Sequence, residues 1–139
     1  MWRLRAWLAE RFLTKSLGKR GEDAAARFLK RNGCRIVARC LDSPLGELDI
    51  IAMDGRTIAF VEVKTRRSTN AGDPAEAIDD RKQRRMTQAA LAYLKSNGLL
   101  KYAARFDVVA ITWPENEKRP TIEHYKNAFS LVGFGQFFS

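Results

Sequence analysis

The stretch Gly46-Glu47-Leu48-Asp49-Ile50-Ile51-Ala52-Met53-Asp54-Gly55-Arg56-Thr57-Ile58-Ala59-Phe60-Val61-Glu62-Val63-Lys64-Thr65-Arg66 reads as two β-strands joined by a tight turn. Glu47 to Met53 and Thr57 to Thr65 are dense in Ile, Val and Phe, and Asp54-Gly55 between them is a hairpin signal. Side chains alternate across a strand, so Glu47, Asp49 and Ile51 share one side, and Phe60, Glu62 and Lys64 share one side of the returning strand. With Asp54 and Gly55 as a two-residue loop, Met53 pairs with Arg56, which sets Asp49 opposite Phe60 and Glu47 opposite Glu62. Cross-strand partners face the same way, so Asp49, Glu62 and Lys64 project together. A four-residue loop keeps this parity, whereas a three-residue loop without a bulge would divide the acids between two faces.

Upstream of the hairpin, Gly18 and Gly21 precede a helical segment, Glu22 to Asn32, with Ala25, Ala26, Phe28 and Leu29 at helical spacing and Asn32-Gly33 as its stop. Glu22 lies on the inward-leaning side of that helix, with Ala25, Ala26 and Leu29. Cys34 to Cys40 follows as a short strand, and Asp42 to Pro44 as a turn. Downstream, Arg66 to Pro74 is a polar loop, and Ala75 to Asn97 reads as a long helix through Ile78, Met86, Ala89, Ala90, Tyr93 and Leu94. Arg105 to Trp113 and Thr121 to Phe129 are the last two strands. The order helix, three strands, helix, two strands describes an α/β sandwich, a mixed central sheet of about five strands flanked by helices. Residues 1–17 read as an N-terminal amphipathic helix or arm, and residues 18–139 as a single domain.

A chain of 139 residues, 45% of them hydrophobic, can bury a core without a disulfide or a structural metal. Lys and Arg number 25 against 16 acids, a net charge of +9, and the pI is near 10.0. That balance favours a polyanionic partner, nucleic acid first and an anionic membrane second. Cys34 and Cys40 match no zinc spacing and read as ordinary strand residues in a reducing cytoplasm. His124 is the only histidine, which excludes His-rich zinc sites and argues against a serine or cysteine triad; it reads as a strand residue. No apolar stretch approaches the ~20 residues that span a bilayer. Trp2, Leu4, Trp7, Leu8, Arg11, Phe12 and Lys15 outline an amphipathic helix. Packing on the domain or on a second copy, as a homodimer, is favoured for it over membrane contact.

Converging carboxylates on an apolar hairpin are costly, because like charges repel and burial disfavours both. A divalent cation resolves the conflict, and a small set of hard oxygen ligands suits Mg²⁺ or Mn²⁺, which keep several waters free for phosphate chemistry. Lys64 could orient the attacking water or neutralise charge building on phosphate, and Glu22 could add a ligand or a hydrogen-bond acceptor. Spacing alone leaves a bland reading equally open: Glu62 and Lys64 as an ion pair, Asp49 beside an Arg, and Glu22 favouring the first turn of its helix. Arg66, Arg67, Lys82, Gln83, Arg84 and Arg85 would bind phosphates without reading bases, or simply form a solvated face. Lys82 and Gln83 are the pair expected to face the acids. Asp107 reads as structural.

Taken together, the acid, the hairpin, Glu-x-Lys in matching parity, a helix acid and a basic helix resemble the PD-(D/E)xK nuclease superfamily. Gly21-Glu22, Gly46 to Ala52, Phe60 to Arg66, Pro74 to Arg85, Arg105-Phe106-Asp107-Val108 and Asn127-Ala128-Phe129 resemble, more narrowly, the YraN-like family of small bacterial proteins. The resemblance runs from about Gly18 to Phe129. It implies a restriction-endonuclease-like fold, similar to that of archaeal Holliday-junction resolvases, and a Mg²⁺- or Mn²⁺-dependent cut in DNA. The superfamily motif falls on Asp49 for the first acid, Glu62 and Lys64 for the paired acid and lysine, and Glu22 for the helix acid. Leu48 stands where the motif's name expects proline, which is not a ligand. A DNA-binding module that keeps the fold without the chemistry is the alternative function.

Overall fold

The computed structural model describes residues 2–68, 72 and 78–130, with side chains in the first helix described from Leu17 onward. Seven elements follow in order: α1 (Trp2–Arg31), β1 (Arg35–Ser43), β2 (Gly46–Asp54), β3 (Thr57–Arg66), α2 (Asp80–Ser96), β4 (Ala104–Thr112) and β5 (Thr121–Phe129). The strands form one sheet in the order β1-β2-β3-β4-β5, antiparallel throughout except for the parallel pair β3 and β4. That parallel step requires a crossover, which α2 supplies. The α/β class, the mixed five-strand sheet and the element order agree with the sequence reading.

Each face of the sheet carries one helix and one core. Ile50, Ala52, Ala59, Val61, Val109 and Ile111 pack with Ala25 and Leu29 of α1. Ile51, Ile58, Phe60, Phe106 and Val108 pack with Met86, Ala90 and Leu94 of α2 on the opposite side. Alternation along β3 thus feeds both cores from a single strand, which makes it the buried centre of the molecule.

The first helix departs from expectation. It runs unbroken through Gly18 and Gly21, so the segment read as a separate arm continues into the helix of the domain. Gly21 is there for proximity: a Cβ would fall 1.9 Å from Thr65 Oγ1, so only glycine lets α1 lie this close to β3. Nothing in the structure explains Gly18. The amphipathic face proposed for Trp2 to Lys15 lies outside the described side chains. At the other end, Cys34 N–H donates to Leu29 O and Gly33 N–H to Lys30 O, with Gly33 at φ +93, a Schellman stop that hands the chain to β1. α2 starts later than expected, at Asp80, where the Asp79 side chain accepts the Lys82 N–H; residues 75–77 of the expected helix are outside the described ones. Among the described residues no helix is long and apolar enough to cross a membrane.

Candidate active site

The β2–β3 turn is two residues long, but they are Gly55 and Arg56, with Asp54 paired to Thr57 and Gly55 at φ +62. Each strand is therefore displaced by one residue from the expected pairing. Ile51, not Asp49, lies opposite Phe60, and the same register carried outward brings Asp49 level with Glu62 rather than Glu47. Two displacements of one residue preserve parity, so the acids still meet.

At Asp49 the ladder opens. Pairing of β2 with β3 ends at Ile50 and Val61, and the Asp49 carboxylate takes the Val63 N–H at 2.9 Å in place of a backbone carbonyl. Alternation breaks at the same level. Ile50 packs under α1, yet Leu48 packs on the α2 side, as does Leu41, its partner on β1. Cys40, next to Leu41 on β1, has φ +52, a left-handed backbone that turns the following side chains over. The outcome is a cleft of about 720 Å³ at the opened end of the sheet, walled by Leu17, Gly18, Lys19 and Glu22 of α1, by Cys40 and Asp49, and by Glu62 to Thr65 of β3.

Glu62 is almost fully buried, 4% exposed. Its Oε1 lies 3.0 Å from Lys82 Nζ of α2 and 3.9 Å from Lys64 Nζ. Among the described residues Asp49 forms no salt bridge. Burial first, then the charge of and a hydrogen bond to Glu62, push its carboxyl up to about 7, against the opposing pull of the Val63 N–H. Glu22 stands on the cleft wall and accepts the Cys40 thiol at 3.2 Å. That hydrogen bond and burial raise the thiol above its ordinary range.

The cleft thus gathers Asp49, Glu62, Lys64 and Glu22, with Lys82 reaching in from α2. The other expected phosphate binders diverge. Gln83 turns its amide onto Ile78 O at 3.0 Å instead of facing the acids. Arg66 donates to Gly72 O and Arg67 to Trp113 O, while Arg84 and Arg85 are exposed on α2. Cys40 and Lys19 were not foreseen as cleft residues. Lys19 sits three residues before Glu22 and so shares its helix face, a legible signal; Cys40 is set by the register of β1 against β2, which the sequence does not spell out.

A pair of hard oxygen donors, one of which has no salt bridge among the described residues, fits Mg²⁺ or Mn²⁺. Among the described residues, however, no three His, Cys, Asp or Glu side chains gather closely enough to form a ready cation cluster. Asp49 and Glu62 are therefore the residues that would hold such an ion, with water completing the shell, and Glu22 is a wall residue in this conformation.

The family profile described as "Uncharacterised protein family UPF0102" matches residues 21–111, which span both acids, the first three strands and all but the last residue of the fourth. The chain belongs to the UPF0102 family. UPF0102, the YraN family, lies in the restriction-endonuclease-like nuclease superfamily, in agreement with the observed sheet. A UPF0102 protein of Rhodopirellula baltica is 50% identical over 125 residues, covering 88% of this chain and 75% of its own. One from Geobacter sulfurreducens is 50% identical over 118 residues, 85% of this chain and 91% of its own. One from Desulfosudis oleivorans is 49% identical over 112 residues, 81% and 88% respectively.

Proposed function

We propose that this UPF0102 protein is a metal-dependent endonuclease that hydrolyses phosphodiester bonds in DNA, working in the cytoplasm on the branched or single-stranded structures of repair and recombination. The observation that carries the reading is Asp49: a partly buried carboxylate with no salt bridge among the described residues, set against Glu62 and pushed up to about 7. Structural carboxylates acquire partners, and a carboxylate left without one beside a second acid in a cleft calls for a positive ligand. Asp49 and Glu62 would hold Mg²⁺ or Mn²⁺, which supplies Lewis acidity when bound. Lys64, on the cleft wall two residues beyond Glu62, offers its ammonium to phosphate oxygens as negative charge builds there. Lys19 from α1 adds positive charge on the facing wall.

The test is cleavage by the purified full chain on a panel of duplex, single-stranded and branched DNA, with RNA for comparison, in Mg²⁺ and in Mn²⁺. Asp49→Asn and Lys64→Ala are expected to lower the rate about 10²–10³-fold while leaving the fold intact by circular dichroism. A wild-type protein inert on the whole panel overturns the reading. One observation favours a second one: Lys82 Nζ at 3.0 Å already neutralises Glu62, as it would in a binding module that has given up the chemistry. Such a module binds DNA equally well with and without chelator and cuts nothing.

A further inference from the structure

A second concavity lies on the far flank of α1 from the acids. It measures about 420 Å³ and is walled by Ala24, Arg27 and Arg31 of α1, by Trp113, and by Lys118, Arg119, Pro120 and Ile122 from the connection into β5. Four of its eight walls are cationic and none is acidic. Among the described residues, none of these four cations forms a salt bridge. Arg20 extends the row, its guanidinium 4.1 Å from the centroid of the Trp113 ring. Residues 20, 24, 27 and 31 recur at helical spacing and form one stripe, on the opposite side of the buried face from Glu22. At 1.5 Å per residue, Arg20 to Arg31 covers about 16 Å. That is roughly five base-pair steps of duplex at ~3.4 Å each.

Concentrated, unpaired positive charge in a groove raises the local concentration of anions. Arg20 is the best placed of the set. Stacked on an indole, a guanidinium is held in orientation with its N–H groups free for phosphate oxygens, a role lysine could not fill. Trp113 also ties the groove to the cleft. Its backbone N–H donates to Arg66 O, its carbonyl accepts from Arg67, and Lys64 lies two residues before Arg66 on the same strand. The row of charge therefore begins where the cleft ends.

We propose that this groove is a second nucleic-acid contact, in which Arg20, Arg27, Arg31, Lys118 and Arg119 grip the phosphate backbone of the strand segment beyond the one lying in the cleft. It rests on the nucleic-acid reading of the cleft, and it extends the contact around α1 to residues outside the β3 and α2 cations. A phospholipid surface presents the same phosphate chemistry but is disfavoured. The large exposed apolar side chains among the described residues, Val37, Leu45, Leu100 and Tyr102, all lie outside the groove, whereas membrane attachment uses an apolar face beside the charge.

The experiment measures binding of the full chain to a labelled DNA duplex by fluorescence anisotropy across a salt series, with chelator present. Arg27→Ala with Arg31→Ala is compared with Lys95→Ala with Lys101→Ala, a charge-matched pair remote from the groove; all four positions are exposed, so both variants should fold. Each lost phosphate contact lowers the slope of log K against log salt by about 0.9. The groove pair should therefore lose nearly two units of slope and at least tenfold in affinity at low salt, while the remote pair stays near wild type. Equal slopes for the two pairs overturn the proposal. So does a groove pair that keeps DNA affinity but loses binding to phosphatidylserine vesicles. Because the readout is binding without divalent metal, it is unaffected if the cleft proves unable to cut. Asp49→Asn in the cleavage assay reports on that separately.

Discussion

Asp107 on β4 and the Asp49–Glu62 pair on β2 and β3 are carboxylates set into the same sheet, and the protein equips them differently. Asp107 is fully buried and saturated: Arg105 Nε and the Asn127 N–H reach its Oδ1 at 2.9 and 3.0 Å, and His124 Nε2 lies 2.8 Å from its Oδ2. Burial alone would raise its carboxyl, but His124, Arg105 and the Asn127 N–H together hold it below the usual range. Even the backbone contributes, since β5 slips register here and Asn127 takes φ +53, which aims its N–H at the carboxylate. Asp49 is less buried yet receives one backbone N–H and faces another acid. The fold supplies counter-charge to Asp107, which holds strands together, and leaves Asp49 without it among the described residues, as the proposed metal site would require. The same difference places His124. Its partner is Asp107, which makes it a member of the structural network and leaves it no role in the cleft.

The heaviest blow to this comparison would come from Asp107→Ala. Removing one member of a buried charged network leaves His124 and the Asn127 N–H without their acceptor and Arg105 with Asp54 alone, at a cost of about 3–5 kcal/mol. Denaturant titration should show that loss with little change in the affinity of the cleft for divalent cation. A loss under about 1 kcal/mol would mean the network is not structural, and the contrast with Asp49 would fall.

Asp49→Asn should move stability the other way. Its carboxyl rises from 3.8 in the ordinary state to about 7 in the fold, so the folded protein holds a proton the unfolded chain has released. By linkage, stability falls as pH rises from about 4 to about 7, opposite in sign to Asp107, whose contribution is lost as pH falls through its depressed folded value. Asparagine can still accept the Val63 N–H and carries no charge. At neutral pH the variant should therefore be more stable by on the order of 2 kcal/mol, the full shift being discounted for partial exposure. Below pH 4 the gain should vanish. A thermal melt series across this range checks both the sign and the window, and a gain independent of pH would dismiss the electrostatic account.

These two carboxylates also mark how far the sequence could be read. The element order and the meeting of Asp49 with Glu62 were legible because hydrophobic runs and Asp54-Gly55 constrain the hairpin, and the register error of one residue on each strand left parity untouched. The opened ladder at Asp49 was not legible. It lies level with a left-handed Cys40 on the neighbouring strand, and cysteine carries no local signal for that conformation. Gly21 was misread for a related reason. Glycine marks helix ends by default, and its use for close approach appears only when Thr65 is seen against it. Lys82 was rightly expected to face the acids, but Gln83, one residue on and so about 100° around the helix, could not also do so. The basic groove beside Trp113 assembles from segments far apart in sequence, which no periodicity connects.

The smallest expected effect is the most discriminating about the cleft itself. Among the described residues Lys82 is the cation nearest the acid pair, closer than Lys64, and it is nearly half exposed, so Lys82→Met should change stability by less than about 1 kcal/mol. Its consequences for Mn²⁺ binding separate two roles. If the ammonium is a placeholder occupying Glu62 Oε1 until a divalent ion arrives, removing it should tighten Mn²⁺ several-fold in calorimetry and leave cleavage at saturating metal unchanged. If Lys82 instead acts with Lys64 on phosphate, Mn²⁺ affinity should still rise, because a positive charge has left the site, while the cleavage rate at saturating metal falls. Weaker Mn²⁺ binding would contradict both, and with them the idea that Asp49 and Glu62 are a pair kept short of positive charge.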